Sequence, residues 1–137
     1  MSDNTLSNLI SHVHSDDFRE MCKEFKIKVD YSPKSIKQLE KELPFLFDTV
    51  EDDLKLKVSI LFAVYFGEVL KHTFEGMVEW GSYYPVEPEK TELKIMTGES
   101  EAILRPVLAI RNFIYKGEPL SNYVNSVESI VNSSDNA

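Results

Sequence analysis

The residue best placed for chemistry in this chain is Glu68. It closely follows the run Val58–Phe66 (VSILFAVYF), which is apolar except for Ser59, so part of the carboxylate is expected to face an interior. A carboxylate removed from water is destabilised unless it is hydrogen-bonded or neutralised. Desolvation raises its pKa toward the range useful to a general acid or base. Tyr65, Glu68 and His72 stand at i, i+3 and i+7 and share a helix face, and Trp80 follows closely enough to pack there. Tyr65, Glu68, His72 and Trp80 are therefore the candidates for a ligand pocket. The competing reading is structural: Glu68 caps backbone N–H groups of a neighbouring loop, or pairs with Lys71 or His72 at helical spacing.

Other chemistries find less support. Glu68 and His72 could reach one metal ion from adjacent turns, with His12 and His14 as further donors, but a zinc site generally needs three or four ligands. On a helix, His12-x-His14 points its two rings about 200° apart. Surface histidines are expected, and no metal site. Cys22 lies on the stripe Phe18, Met21, Cys22, Phe25, which predicts a packed thiol rather than a reactive one. The chain has no Gly-x-Ser-x-Gly elbow and no glycine-rich loop followed by Gly-Lys-Ser/Thr. Glu51-Asp52-Asp53 reads as a solvated helix start. No catalytic residue is assigned and no cofactor is called for.

A second kind of site is suggested by Trp80, Tyr83 and Tyr84. Tyr and Trp are enriched at the centres of protein interfaces, where an apolar body and a polar tip are both used. The loop that follows carries Glu87 and Glu89, giving an acidic aromatic rim suited to a basic partner protein. The bland alternative is that these rings cover the sheet or pack on a helix.

Charge narrows the partners. Fifteen basic and 23 acidic residues give a formal net charge of −8. Nucleic-acid binding relies on Lys and Arg to neutralise phosphates, and anionic membrane surfaces select for the same residues; neither is expected. The richest basic stretch, Lys23–Lys28 (KEFKIK), reads as a solvated face. A single cysteine excludes an intramolecular disulfide and suits a reducing compartment. The start MSDNTLSNLI lacks the features of a signal peptide. The apolar run is far short of the roughly 20 residues that span a bilayer. The expected location is cytoplasmic.

These side chains must be positioned by an ordered set of elements. Leu6, Leu9, Ile10 and Val13 predict a first helix, and Ser15 caps a second that opens on Asp16 and Asp17. Ser32-Pro33 starts a third, which Pro44 ends or kinks. Thr49 is expected to cap a long fourth helix over about Val50–Phe74, apolar on nearly every face between Val58 and Leu70 and hence enclosed by neighbours. Ser59, Ala63 and Gly67, four apart, make a ridge of small side chains that lets another element approach. Met77–Trp80, Glu92–Met96 and Glu101–Arg105 read as three short strands of a meander, with a turn at Thr97-Gly98-Glu99-Ser100. Pro106 and Pro119 open two last helices, separated at Gly117.

Lys34-Ser35-Ile36 through Leu39-Glu40, then Tyr65-Phe66-Gly67-Glu68-Val69-Leu70, then Trp80 after Gly76, resemble a pattern in families of small uncharacterised bacterial proteins. In these a helix with a Tyr-x-Gly-Glu-Val-like core precedes a Trp-bearing strand, a short meander and C-terminal helices. The likeness covers roughly Lys34–Val131, and Gly67-Glu68 with Trp80 is its specific part. It implies an α+β fold and no established activity.

The expectation is a single α+β domain over residues 1–137, with loose tails at 1–4 and 132–137: N-terminal helices including a long buried central one, a three-stranded antiparallel meander, and two C-terminal helices. The preferred function is a non-enzymatic interaction module, adaptor-like or immunity-like, using Trp80, Tyr83, Tyr84, Glu87 and Glu89. The alternative is a small-ligand-binding protein or minor enzyme with a pocket around Glu68.

Overall fold

The computed structural model describes residues 6–97 and 100–135, with side chains to residue 132. The N-terminal tail 1–4 and the turn residues Gly98 and Glu99 lie outside the described residues. The chain order is α1 (Leu6–Val13), α2 (Asp16–Glu24), α3 (Pro33–Thr49), a 3-10 turn (Asp52–Leu54), α4 (Lys55–Thr73), β1 (Val78–Trp80), a second 3-10 turn (Pro88–Lys90), β2 (Leu93–Met96), β3 (Glu101–Leu104), α5 (Pro106–Lys116) and α6 (Leu120–Asp135). Helix α6 thus runs to Asp135, into the stretch expected to be loose. The architecture is α+β, with helices around a small antiparallel meander in the order β1-β2-β3.

Helix α4 is the enclosed central rod. Ser59 and every residue from Phe62 to Leu70 are buried. Helices α1, α3 and α5 and strand β1 pack around it. An all-round apolar helix can be stable in water only with such a wrapping, and its neighbours supply it: Val13 from α1, Leu39 and Leu43 from α3, Ala109 and Ile110 from α5 all join its core.

Two boundaries differ from expectation. Helix α3 continues through Pro44 to Thr49 instead of stopping at the proline. A proline inside a helix costs about 3 kcal/mol, but the turn beyond it buries Leu46 and Phe47, each worth roughly 1.5–3 kcal/mol. Burial wins. Thr49 therefore does not cap α4. Its hydroxyl donates to the Leu46 carbonyl at 2.7 Å, within the last turn of α3. Helix α4 begins only at Lys55, after the acidic 3-10 turn. Other signals hold as read. Ser15 Oγ accepts the Phe18 N–H at the start of α2 (3.3 Å), and Pro33 and Pro106 occupy the first turns of α3 and α5. Ser32, by contrast, makes no side-chain cap; its hydroxyl donates to Asp30 instead (2.6 Å).

The sheet register decides which way Trp80 points. Val78 pairs with Ile95 and Trp80 with Leu93. Leu93 in turn pairs with Leu104, and Ile95 with Ala102. Side chains alternate along a strand, so Trp80 shares the inner face with Val78, Leu93 and Ile95, all three buried. A slip of one residue would turn the indole away from the core. Gly76, at φ +83°, reverses the chain between α4 and β1 and brings Trp80 back onto the helix it has just left.

Candidate functional site

Glu68 lies on the third quarter of α4 and is 8% exposed. Both carboxylate oxygens are engaged. Trp80 Nε1–H donates to Oε2 at 2.8 Å, and His14 Nε2 lies 2.7 Å from Oε1. An ionised carboxylate can only accept, so Nε2 of His14 carries the proton in this arrangement.

Gly67 makes the Trp80 contact possible. A Cβ at position 67 would overlap Cη2 and Cζ2 of the indole. Glycine inside a helix costs about 1 kcal/mol against alanine. A half-buried tryptophan removes on the order of 100 Å² of apolar surface from water, worth roughly 2.5 kcal/mol. The exchange favours glycine, and it places a donor on the carboxylate next door.

His14 is held from its other side. It lies in the tight turn between α1 and α2, and its ring stacks on that of Tyr31 (centroids 4.5 Å apart, 15° between planes). Tyr31 has φ +59°, in the left-handed region, which β-carbon crowding penalises by about 1–2 kcal/mol. Two hydrogen bonds hold it there. Its O–H donates to the Val13 carbonyl (2.6 Å) and its N–H to the Tyr65 hydroxyl (3.3 Å). Tyr65 O–H donates onward to Ser35 Oγ (2.8 Å), which donates to the Ser32 carbonyl (2.7 Å). Burial pushes the Tyr31 hydroxyl up to about 12, with the nearby Tyr65 and Glu68 adding to the effect.

Above this array lies an open groove of about 570 Å³, within the size range of small-molecule sites. Glu68, His14 and Tyr31 line it together with Asp30, Lys71, His72, Glu75, Gly76, Val78 and Glu79. Four carboxylates face one lysine and two histidines there. Burial pushes the Asp30 carboxyl up, but hydrogen bonds from the Ser32 hydroxyl and N–H, with Lys28 nearby, outweigh it and hold the group below its ordinary value.

The four pocket candidates therefore occupy different positions. Glu68 and His72 line the groove, His72 on its exposed rim. Trp80 supports Glu68 from behind. Tyr65 is fully buried and does not line the groove; it props Tyr31, which does. Among the described residues Glu68 takes its partners from His14 and Trp80, not from Lys71, His72 or loop N–H groups. His14 is half-exposed, as a surface histidine would be, yet it is also a groove residue. The Ser15 cap was the one sequence signal for it, since it ends α1 and puts His14 in a turn. Nothing in the sequence announces the left-handed Tyr31. Among the described residues no group of three or more His, Cys, Asp and Glu is arranged to hold a metal ion. Cys22 is fully buried and burial pushes its thiol up to about 12.

The second candidate surface is spread out. Tyr83 is half-buried over a depression of about 360 Å³ with Leu9, Leu56, Ile60 and Pro85. Tyr84 is exposed, and Val86 is 91% exposed. Glu87 pairs with Lys90 at 2.5 Å, and Glu89 with Arg111 at 3.6 Å. Trp80 points away from this loop, into Glu68.

The fold and the groove define a small α+β protein built on one buried helix, with a carboxylate held by two side-chain hydrogen bonds at the edge of an acidic cleft. The family model described as "Uncharacterised protein YwmA" matches residues 11–116, and the chain belongs to that family. The match takes in His14, Glu68 and Trp80 together. No curated protein and no solved structure matches the chain. Among the described residues no helix is long and apolar enough to cross a membrane.

Proposed function

We propose that this protein binds a small ligand through a positively charged group, an ammonium or guanidinium, received in the acidic groove over Glu68. The observation that carries the reading is the Glu68 carboxylate itself. It is nearly buried, anchored by His14 and Trp80, and accompanied in the groove by Asp30, Glu75 and Glu79. A carboxylate has about four lone-pair sites, and two are used. The anchoring bonds fix its position in advance, which lowers the ordering cost of binding. In this reading the working part is Gly67 and Glu68 of the Tyr-x-Gly-Glu-Val helix together with Trp80 of the strand after it. A single buried cysteine suits action in the reducing cytoplasm.

Titration of the full chain with agmatine, spermidine and a lysine-rich peptide tests it, read by calorimetry and by emission of Trp80, the one tryptophan. Saturable binding of a free amine that Glu68→Gln weakens roughly tenfold or more supports the reading. Binding of the peptide alone transfers the site to a basic protein partner. Absence of saturation by all three ends the proposal.

A second reading places a basic partner protein on Tyr83, Tyr84, Glu87 and Glu89, favoured by the exposure of Tyr84 and Val86 beside the apolar depression under Tyr83. The ion pairs of Glu87 and Glu89 with Lys90 and Arg111 weaken the acidic part of that surface. The groove over Glu68 is the better supported site.

A further inference from the structure

The link that carries Tyr31 also borders a groove of opposite charge. Arg19 and Lys23 from α2, and Lys26 and Lys28 from the link, line a cleft of about 570 Å³ that no carboxylate lines. Its floor is apolar, formed by Ile27 and Val29, both buried. Read from sequence alone, Lys23–Lys28 was a solvated face. In the fold its lysines converge with Arg19 on one concave surface.

Two details go beyond a simple run of surface lysines. Lys26 stands at φ +62°, just past the end of α2, a place where glycine is the unstrained choice. A lysine there is strained by about 1–2 kcal/mol, and strain of this kind collects at functional sites. Gln38, half-buried on α3, accepts the Lys28 N–H through Oε1 at 2.7 Å. That bond leaves its NH2, two N–H donors, as the group available to a ligand. Lys23 alone of the four lies in the last turn of α2, where it serves the helix dipole. Arg19 pairs with the exposed Asp16 at 3.4 Å, and dipole compensation accounts for neither Lys26 nor Lys28.

We infer that this cleft binds a small phosphorylated molecule with an apolar body. With Arg19 shared with Asp16, the three lysines still exceed what a monocarboxylate neutralises, whereas phosphate groups accept several charge-assisted hydrogen bonds at once. The apolar floor suits the body of an ester rather than a bare ion. Size follows from charge. Outside these four side chains the chain is even more negative than its total of −8, so a long polyanion would run onto repulsive surface, while a short one would not. The site is independent of the groove over Glu68.

The test is titration of the intact 137-residue chain with pyrophosphate, adenosine triphosphate, and a single-stranded oligonucleotide. It is followed by amide NMR at Ile27, Lys28 and Val29 and at the Gln38 NH2. Saturable shifts are expected with both small probes, larger for the nucleotide because it covers the floor. Lys26→Glu with Lys28→Glu should weaken binding roughly tenfold or more, and Lys116→Glu, off the cleft, should not. Lys26→Gly separates binding from folding: it relieves the left-handed strain, so stability holds or rises while affinity falls several-fold. Shifts that grow without saturating, binding unchanged in the Lys26 and Lys28 variants, or saturation by the oligonucleotide alone each overturn the inference.

Discussion

The indole of Trp80 occupies the space over Gly67 that a β-carbon would fill, and from there its N–H reaches the Glu68 carboxylate at 2.8 Å. Close packing and a hydrogen bond to a nearly buried carboxylate are thereby joined in three residues. Gly67→Ala should lower stability by about 1–3 kcal/mol, because overpacking outweighs the gain in helix propensity. Urea unfolding measures the loss. Emission of Trp80 should shift as its N–H leaves the carboxylate, and an unchanged spectrum would contradict the contact.

Replacements of Glu68 should separate charge from hydrogen bonding. In Glu68→Gln the amide oxygen can keep the Trp80 N–H while the NH2 donates to His14 in its other tautomer. Stability should change by less than about 1 kcal/mol. Glu68→Leu strips both partners and should cost about 2–4 kcal/mol. Thermal unfolding of the two variants side by side provides the comparison.

The fold should weaken in alkali. Burial raises Cys22 and Tyr31 to about 12, from 9.0 and 10.0, and also raises Tyr65 and Tyr83. A raised pKa in the folded state means that stability is intact below the unfolded value and declines as pH climbs toward the folded one. Melting temperature should therefore fall from pH 9 toward pH 12. Tyr31→Phe, which removes one of these groups, should show a shallower decline even though it starts less stable.

Cys22 should resist iodoacetamide in the native protein at pH 8 and react fully in denaturant. The thiolate is the nucleophile, and burial both excludes the reagent and suppresses ionisation. Mass spectrometry distinguishes the two states. Rapid native alkylation would mean that α2 opens readily.

Pro44→Ala should stabilise the protein by about 1–3 kcal/mol, since Pro44 is exposed and α3 runs straight through it. A loss of stability would show that the fixed backbone of the proline helps to seat Leu46 and Phe47.

The central helix was legible because nine consecutive positions from Val58 admit only one polar residue, a pattern that few other structures satisfy. The strand at Leu93 and Ile95 was legible through simple alternation. Glu68 stood out for the same reason as the helix, as an ionisable group at the end of an apolar run, and Trp80 through its spacing from it. What sequence could not supply was convergence. Tyr65 shares a helix face with Glu68, yet it is turned into the core, and the groove takes His14, Asp30 and Tyr31 from elements folded back from far away in the chain. Their placement depends on a left-handed Tyr31, which no local propensity signals. Pro44 and Thr49 misled for a related reason: local rules at both positions yielded to the burial of Leu46 and Phe47.

His14 and Trp80 reach Glu68 from opposite sides in sequence, one arriving before α4 is made and the other after it. A growing chain that has just completed α4 holds an anion with only half of its eventual shelter. The second bolt of the latch comes with β1, so the shelter of this carboxylate draws on chain from both sides of the helix that bears it.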